Sequence, residues 1–507
     1  MRSFKSTAKG ILENEKASSG VLTAVIIATV LAFNIVIFAI ANMTTLSFTV
    51  QEKDKVVLTG NTDSLFEEAI SQNKKVTIYF CFPSENDLIY HETGAFVHKT
   101  AKEYKARYGD FIEINYLNLI TRKNESNGED ISEKIQKWQI DERGNKNYLA
   151  RGSVIFECGD NYKVVTDTYS SAAFADFYTL DGSGNATSYN GEAFMASMIY
   201  WVTVNEHPTA YFTVGHSEQL DRAFATLLTS AGYLIDTVDL KKEEVPSDAG
   251  LLIISNPLSD FEEALEGRTE KERLETYISG GGNIYVALDP YVKTLPVLEG
   301  LLSGNGIEFS ETEDNGTVIR NIVKDSSNAI TTDGFTLVTD FADNDIAASI
   351  GGTVSKYSGG SVIVRETAAL KLSKNAKPLL VTTPSSTLEA SGERVDSEGS
   401  YPVAACVKIK GEREKVASLC VVSSVYISVS DALVTNGYSN TDFLYSLFDN
   451  FYGQDGMPYG CDVMKTDTQV LENMTMGTAR LYTALIIAVP VAVAIVGTVV
   501  VIKRKNR

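Results

Sequence analysis

Residues Gly250 to Ser255 read GLLIIS, and this run decides the fold class. It is too short for a stable helix, and no polar residue alternates through it. A strand with one face in water alternates apolar and polar residues, whereas a strand covered on both faces is continuously apolar. The next such run is Asn283 to Leu288, NIYVAL, which ends at Asp289-Pro290. Between them Thr269 to Ser279 has helical spacing and stops at Gly280-Gly281-Gly282. Upstream, Thr209 to Val214 reads as a strand, Glu218 to Ala231 as a helix ended by Gly232, and Leu234 to Leu240 as a strand. Strands alternating with helices predict a flavodoxin-like parallel-sheet domain over 208–455. Val416 to Val422 supplies another buried strand. Asn440 to Tyr452 forms a helix with Leu444, Leu447, Phe448 and Phe451 on one face. Residues from about 305 to 415 are expected as an irregular insertion, because Ser355 to Gly360 and Thr382 to Ser400 are rich in Ser, Gly and Thr.

His207-Pro208 marks the boundary before this domain, since the residue preceding proline leaves helical geometry. Residues 42–207 contain strands at Lys75 to Phe82, Phe111 to Leu117, Ser153 to Glu157 and Tyr162 to Val165. The last two are joined by the turn residues Cys158-Gly159-Asp160-Asn161. Helical spacing covers Ile89 to Tyr108, Ile131 to Trp138 and Glu192 to Val204. The order β-α-β-α-β-β-α is that of a thioredoxin-like α/β domain, here without CxxC.

The two ends differ from everything between them. Val21 to Ala41 and Leu481 to Ile502 are apolar and uncharged, and about 20 such residues in a helix span a bilayer. Arg2, Lys5, Lys9 and Lys16 precede the first stretch, and Lys503, Arg504, Lys505 and Arg507 follow the second. Basic flanks stay inside. The expectation is a double-pass cell-membrane protein with cytoplasmic tails 1–20 and 503–507, transmembrane helices 21–41 and 481–502, a linker over 456–480, and the central domains outside the cell. The tails carry +2 and +4 and the whole chain −20, so residues 42–480 carry −26. Such an acidic region argues against nucleic acid or anionic lipid as a partner.

The chemistry is sparse. Five cysteines (Cys81, Cys158, Cys406, Cys420, Cys461) make no CxxC, so neither a zinc ribbon nor a dithiol redox motif is available. Most read as buried apolar residues, with a Cys406–Cys420 disulfide left open. The four histidines (His91, His98, His207, His216) have no metal-ligand spacing, and there is no GxxxxGK[ST] phosphate loop. No metal or cofactor is expected.

The strand ends of the second domain are where a ligand would sit in an open α/β sheet. Gly215-His216-Ser217-Glu218 follows its first strand and Asp289 ends a later one. His216, Glu218 and Asp289 are therefore the candidate ligand-binding or acid/base cluster. The plainer reading is that Ser217 or Glu218 caps the next helix and His216 packs at the turn. No nucleophile elbow stands at Ser255-Asn256-Pro257, and no residue is assigned a catalytic role.

Three stretches resemble the GldG-like family, auxiliary components of ABC-type transport systems. They are Leu46 to Thr49 with Thr62 to Ile70 and Lys75 to Tyr79; Gly152 to Phe156 with Tyr162 to Val165; and Glu192 to Phe194, Ile199 to Val204 and Pro208 to Glu218. The family's turn usually has glycine where Ser217 stands, and a late strand of the family often ends in Gly-Asp-Ser where this chain has Val422-Ser423-Ser424-Val425. The resemblance implies a non-catalytic subunit partnering an ABC-type permease and a separate ATP-binding subunit. The alternative is a surface hydrolase or transferase with its site at the strand ends.

Overall fold

The computed structural model describes residues 56–465, except 92, 142–143, 145, 167–173, 181–185, 262–266, 315, 360, 434–437, 454–455 and 462. The described residues belong to one compact unit, Val56–Thr466.

Its first sheet contains β1 (Val76–Phe80), β2 (Ile112–Asn118), β3 (Lys123–Asn124), β4 (Val154–Cys158) and β5 (Asn161–Val165), in the order β3-β2-β1-β4-β5. β1 and β2 are parallel, and β4 and β5 run antiparallel beside them. The β4–β5 turn holds Gly159 at φ +60, a conformation glycine adopts without a Cβ penalty. Helix α1 (Gly94–Tyr108) connects β1 to β2, and α2 (Ser132–Trp138) lies between β3 and β4. A small sheet of β6 (Tyr178–Leu180) and β7 (Ala186–Tyr189) follows, then α3 (Gly191–Thr203). Residues of α1 and α3 bury against Val76, Ile78, Phe80, Val154 and Phe156. Trp138 of α2 packs on the opposite face with Tyr79 and Ile155.

The second sheet has nine strands. Five are parallel: β8 (Thr209–Thr213), β9 (Leu234–Val238), β10 (Ala249–Ser255), β11 (Ile284–Ala287) and β16 (Val416–Val422). The other four, β12 (Thr336–Phe341), β13 (Val362–Arg365), β14 (Lys377–Thr382) and β15 (Pro402–Lys410), join antiparallel. The order is β13-β12-β14-β15-β16-β11-β10-β8-β9. The continuous apolar runs now have their cause. Leu251 and Ile253 enter one core, which includes α4 (Arg222–Ser230) and α8 (Asn440–Tyr452); Leu252 and Ile254 enter the other, which includes α5 (Glu270–Ser279) and α6 (Pro296–Gly304). Successive strand residues face opposite sides, so a strand between two helical layers is apolar at every position.

The expected fold class needs correction. The second sheet is mixed, not a flavodoxin-like parallel sheet, because residues expected as an irregular insertion supply β12 to β15 and the helix α7 (Asp345–Tyr357). Their Ser, Gly and Thr content lies largely between short strands and hides a sheet whose strands form by pairing, not by local preference. The first domain also has the extra strand β3 beside the four expected. Among the described residues no helix is long and apolar enough to cross a membrane. The stretches 21–41 and 481–502, expected to do so, lie outside the described residues. Part of the expected linker is packed: Met457 is buried, and Met464 pairs with Tyr189 of β7.

Candidate functional site

The turn after β8 is built by two left-handed residues. Gly215 has φ +113, and a Cβ there would come within 3.3 Å of an Asp239 carboxylate oxygen. Ser217 has φ +60, where glycine sits without steric cost and serine does not. This conformation folds Glu218 back onto His216. The His216 backbone N–H donates to Glu218 Oε2 at 2.7 Å, and its Nδ1 lies 3.0 Å from Glu218 Oε1. On the other side His216 Nε2 lies 3.1 Å from Oε2 of Glu270, the first residue of α5. The ring stacks on Phe261 at 4.2 Å between centroids.

Both imidazole nitrogens face carboxylates, which when ionised only accept hydrogen bonds, so the arrangement suits the doubly protonated cation. Burial opposes that charge, but Glu218 and Glu270 outweigh it and push the His216 pKa up to about 9. For Glu218 burial also works against ionisation, and the His216 contacts more than offset it, holding the carboxyl below its usual range. The His216 side chain is 0% exposed, Glu218 7% and Glu270 2%. No lone pair of the ring is open to a substrate. The arrangement is an internal ion triad that ties the turn after β8 to the start of α5.

Asp289 does not join it. Its carboxylate accepts the N–H of Tyr291 at 2.8 Å, closing a turn after β11, and its own N–H donates to Asn256 Oδ1 at 3.2 Å. The loop after β10 connects the two places, because its Asn256 accepts the Asp289 N–H while the Leu258 N–H donates to the His216 carbonyl at 2.8 Å. The structure thus brings His216 and Glu218 together, leaves Asp289 in its own turn, and adds Glu270. Glu270 carries no sequence signal of this role: an acidic residue in a first helical turn is ordinary. Neither Ser217 nor Glu218 caps the next helix. Asp221 does, accepting the N–H groups of Ala223 and Phe224.

The other flagged residues are structural. Cys81 is 2% exposed, and burial pushes its thiol up to about 12, which makes it a poor nucleophile. All five cysteines are free thiols, with Cys406 directly opposite Cys420 in the β15–β16 register. His98 Nε2 meets the Tyr116 hydroxyl at 2.7 Å, while His91 Nδ1 accepts the Gly94 N–H. No metal-ligating group of three or more His, Cys, Asp or Glu exists among the described residues. Ser423, just after β16, is fully buried, with its hydroxyl within hydrogen-bond reach of the Ala368 and Val403 carbonyls.

No family model matches the chain, and no curated protein matches it. Several solved structures are similar to about half of it. The mmIFT52 N-terminal domain is 19% identical and covers 48% of this chain and 96% of its own, with a TM-score of 0.35. A ThuA-like protein from Bacteroides uniformis is 12% identical, covering 49% and 93%, with a TM-score of 0.30. PurLQS from Thermotoga maritima is 11% identical, covering 48% and 99%, with a TM-score of 0.28. Likenesses this low decide neither fold nor activity.

Proposed function

We propose that this chain is a non-catalytic auxiliary subunit of an ABC-type transport system. It is held at the cell membrane by its apolar end stretches, with both termini cytoplasmic and the central region outside. One observation carries the reading. The strand-end cluster, where an enzyme of this topology would work, is closed by its own carboxylates, with His216 0% exposed. A hydrolase or transferase at that place would need a base or nucleophile that a substrate reaches. The lack of a phosphate loop in the sequence agrees with a separate ATP-binding subunit, and the GldG-like stretches supply the partner class.

The test is co-expression of the full-length chain with an ABC-type permease and ATP-binding protein from the same genome, followed by extraction in mild detergent. The three are expected to purify as one complex at constant ratio. Recovery of the chain alone, together with a turnover abolished by His216→Ala in a folded variant, would establish the enzyme reading instead.

A further inference from the structure

A second buried place differs from the His216 triad in having room. A cavity of about 490 Å³ lies between the start of α3, α4, the end of α7, the start of α8 and the 457–463 segment. That volume suits a small organic molecule. Asp442 of α8 is in its wall and is 6% exposed. One carboxylate oxygen accepts the Gly460 N–H at 3.1 Å. No described Lys, Arg or His forms an ion pair with it, and burial pushes its carboxyl above the usual range. A buried carboxylate normally has a paired cation.

Two further features point the same way. Asn190 lines the cavity, and its Oδ1 is buried with no hydrogen-bond partner among the described residues. That acceptor calls for a donor. Tyr178, Phe194, Tyr438 and Tyr445 add aromatic wall, and ring faces attract cations. Arg222, the cation in the wall, lies 2.7 Å from Asp176, so its charge is already met. The chain's net charge of −20 raises the local concentration of cations. A hard metal ion does not fit, because it requires about six or more oxygen ligands and this wall offers one carboxylate.

We propose that the cavity binds a small organic ammonium ion, its charge set against Asp442, an N–H on Asn190 Oδ1 and its carbons against the aromatic wall. The proposal stands whether or not the chain partners a permease.

The experiment is calorimetric titration of the full-length chain in mild detergent with n-butylammonium and with choline. The neutral counterparts 1-butanol and 3,3-dimethyl-1-butanol serve as comparisons. At least one ammonium ion is expected to bind saturably, with its neutral counterpart weaker by about tenfold or more. Asp442→Asn is expected to weaken the ammonium by about tenfold or more. Asn190→Ala is expected to weaken n-butylammonium similarly, and it removes no side-chain cap from α3. Saturation by neither ammonium overturns the proposal, as does equal binding of the neutral counterpart. So does unchanged affinity in a folded Asp442→Asn variant. If Asp442→Asn does not fold, Asn190→Ala decides, and unchanged affinity there overturns it.

Discussion

Two buried acids, Glu270 and Asp442, begin helices on the same mixed sheet, yet their surroundings are opposite. Glu270 meets a histidine that also holds Glu218, and all three side chains are buried. Asp442 meets only neutral groups and borders a hollow. A charge buried with its partners is compensated at folding and acts as a clasp. One buried without a partner, beside empty volume, is compensated only when something enters. Histidine and glutamate sit together in sequence at the first place, but chemistry-bearing residue types do not by themselves leave anything for a ligand to bind.

The comparison breaks most sharply at His216. His216→Ala leaves the Glu218 and Glu270 carboxylates buried without the cation between them, so unfolding free energy is expected to fall by about 3–5 kcal/mol. Urea unfolding of the full-length chain measures it, and a loss under about 1 kcal/mol would mean the triad is no clasp. The pH dependence comes next. The folded pKa of His216 is raised to about 9 from 6.5. Its stabilisation is therefore complete below about pH 6.5 and is lost as pH rises through about 9, a change of up to about 3 kcal/mol. Glu218 has a lowered folded pKa, so its contribution is lost as pH falls below the usual carboxylate range. A thermal midpoint that stays level between those two limits and then declines on both sides is expected; no alkaline decline would remove the cationic imidazole. The smallest effect sharpens the contrast. Glu270→Gln is expected to cost about 1–3 kcal/mol by weakening a bond to a buried cation. Asp442→Asn keeps an acceptor for the Gly460 N–H and removes an unpaired acid, so it is expected to change stability by less than about 1 kcal/mol. Equal losses in parallel unfolding curves would erase the distinction between the two acids.

Much of the local structure is legible along the chain. Thr269 and Glu272 form a capping box at the start of α5, and that pattern needs only three residues of spacing. The helix over Asn440–Tyr452 lies where its apolar spacing puts it and ends at Gly453 in the left-handed conformation. The left-handed backbone at Ser217 is a position that favours glycine, although serine stands there. What was illegible depends on pairing across distance. Strands β12 to β15 are short, and their order in the sheet follows from neighbours far away in sequence, such as Lys377 opposite Cys406. Glu270 reaches His216 across 54 residues.

By itself, then, the sequence determined the apolar strands that must be covered on both faces, the capped helices between them, and the acidic charge, since each rests on composition or on spacing within a few residues. Tertiary structure alone decided that the sheet is mixed, that His216 is sealed rather than open, and that Asp442 faces a cavity. Each of these depends on which distant side chains arrive beside a given group and whether they fill the space around it, and burial and pairing are properties of the packed chain.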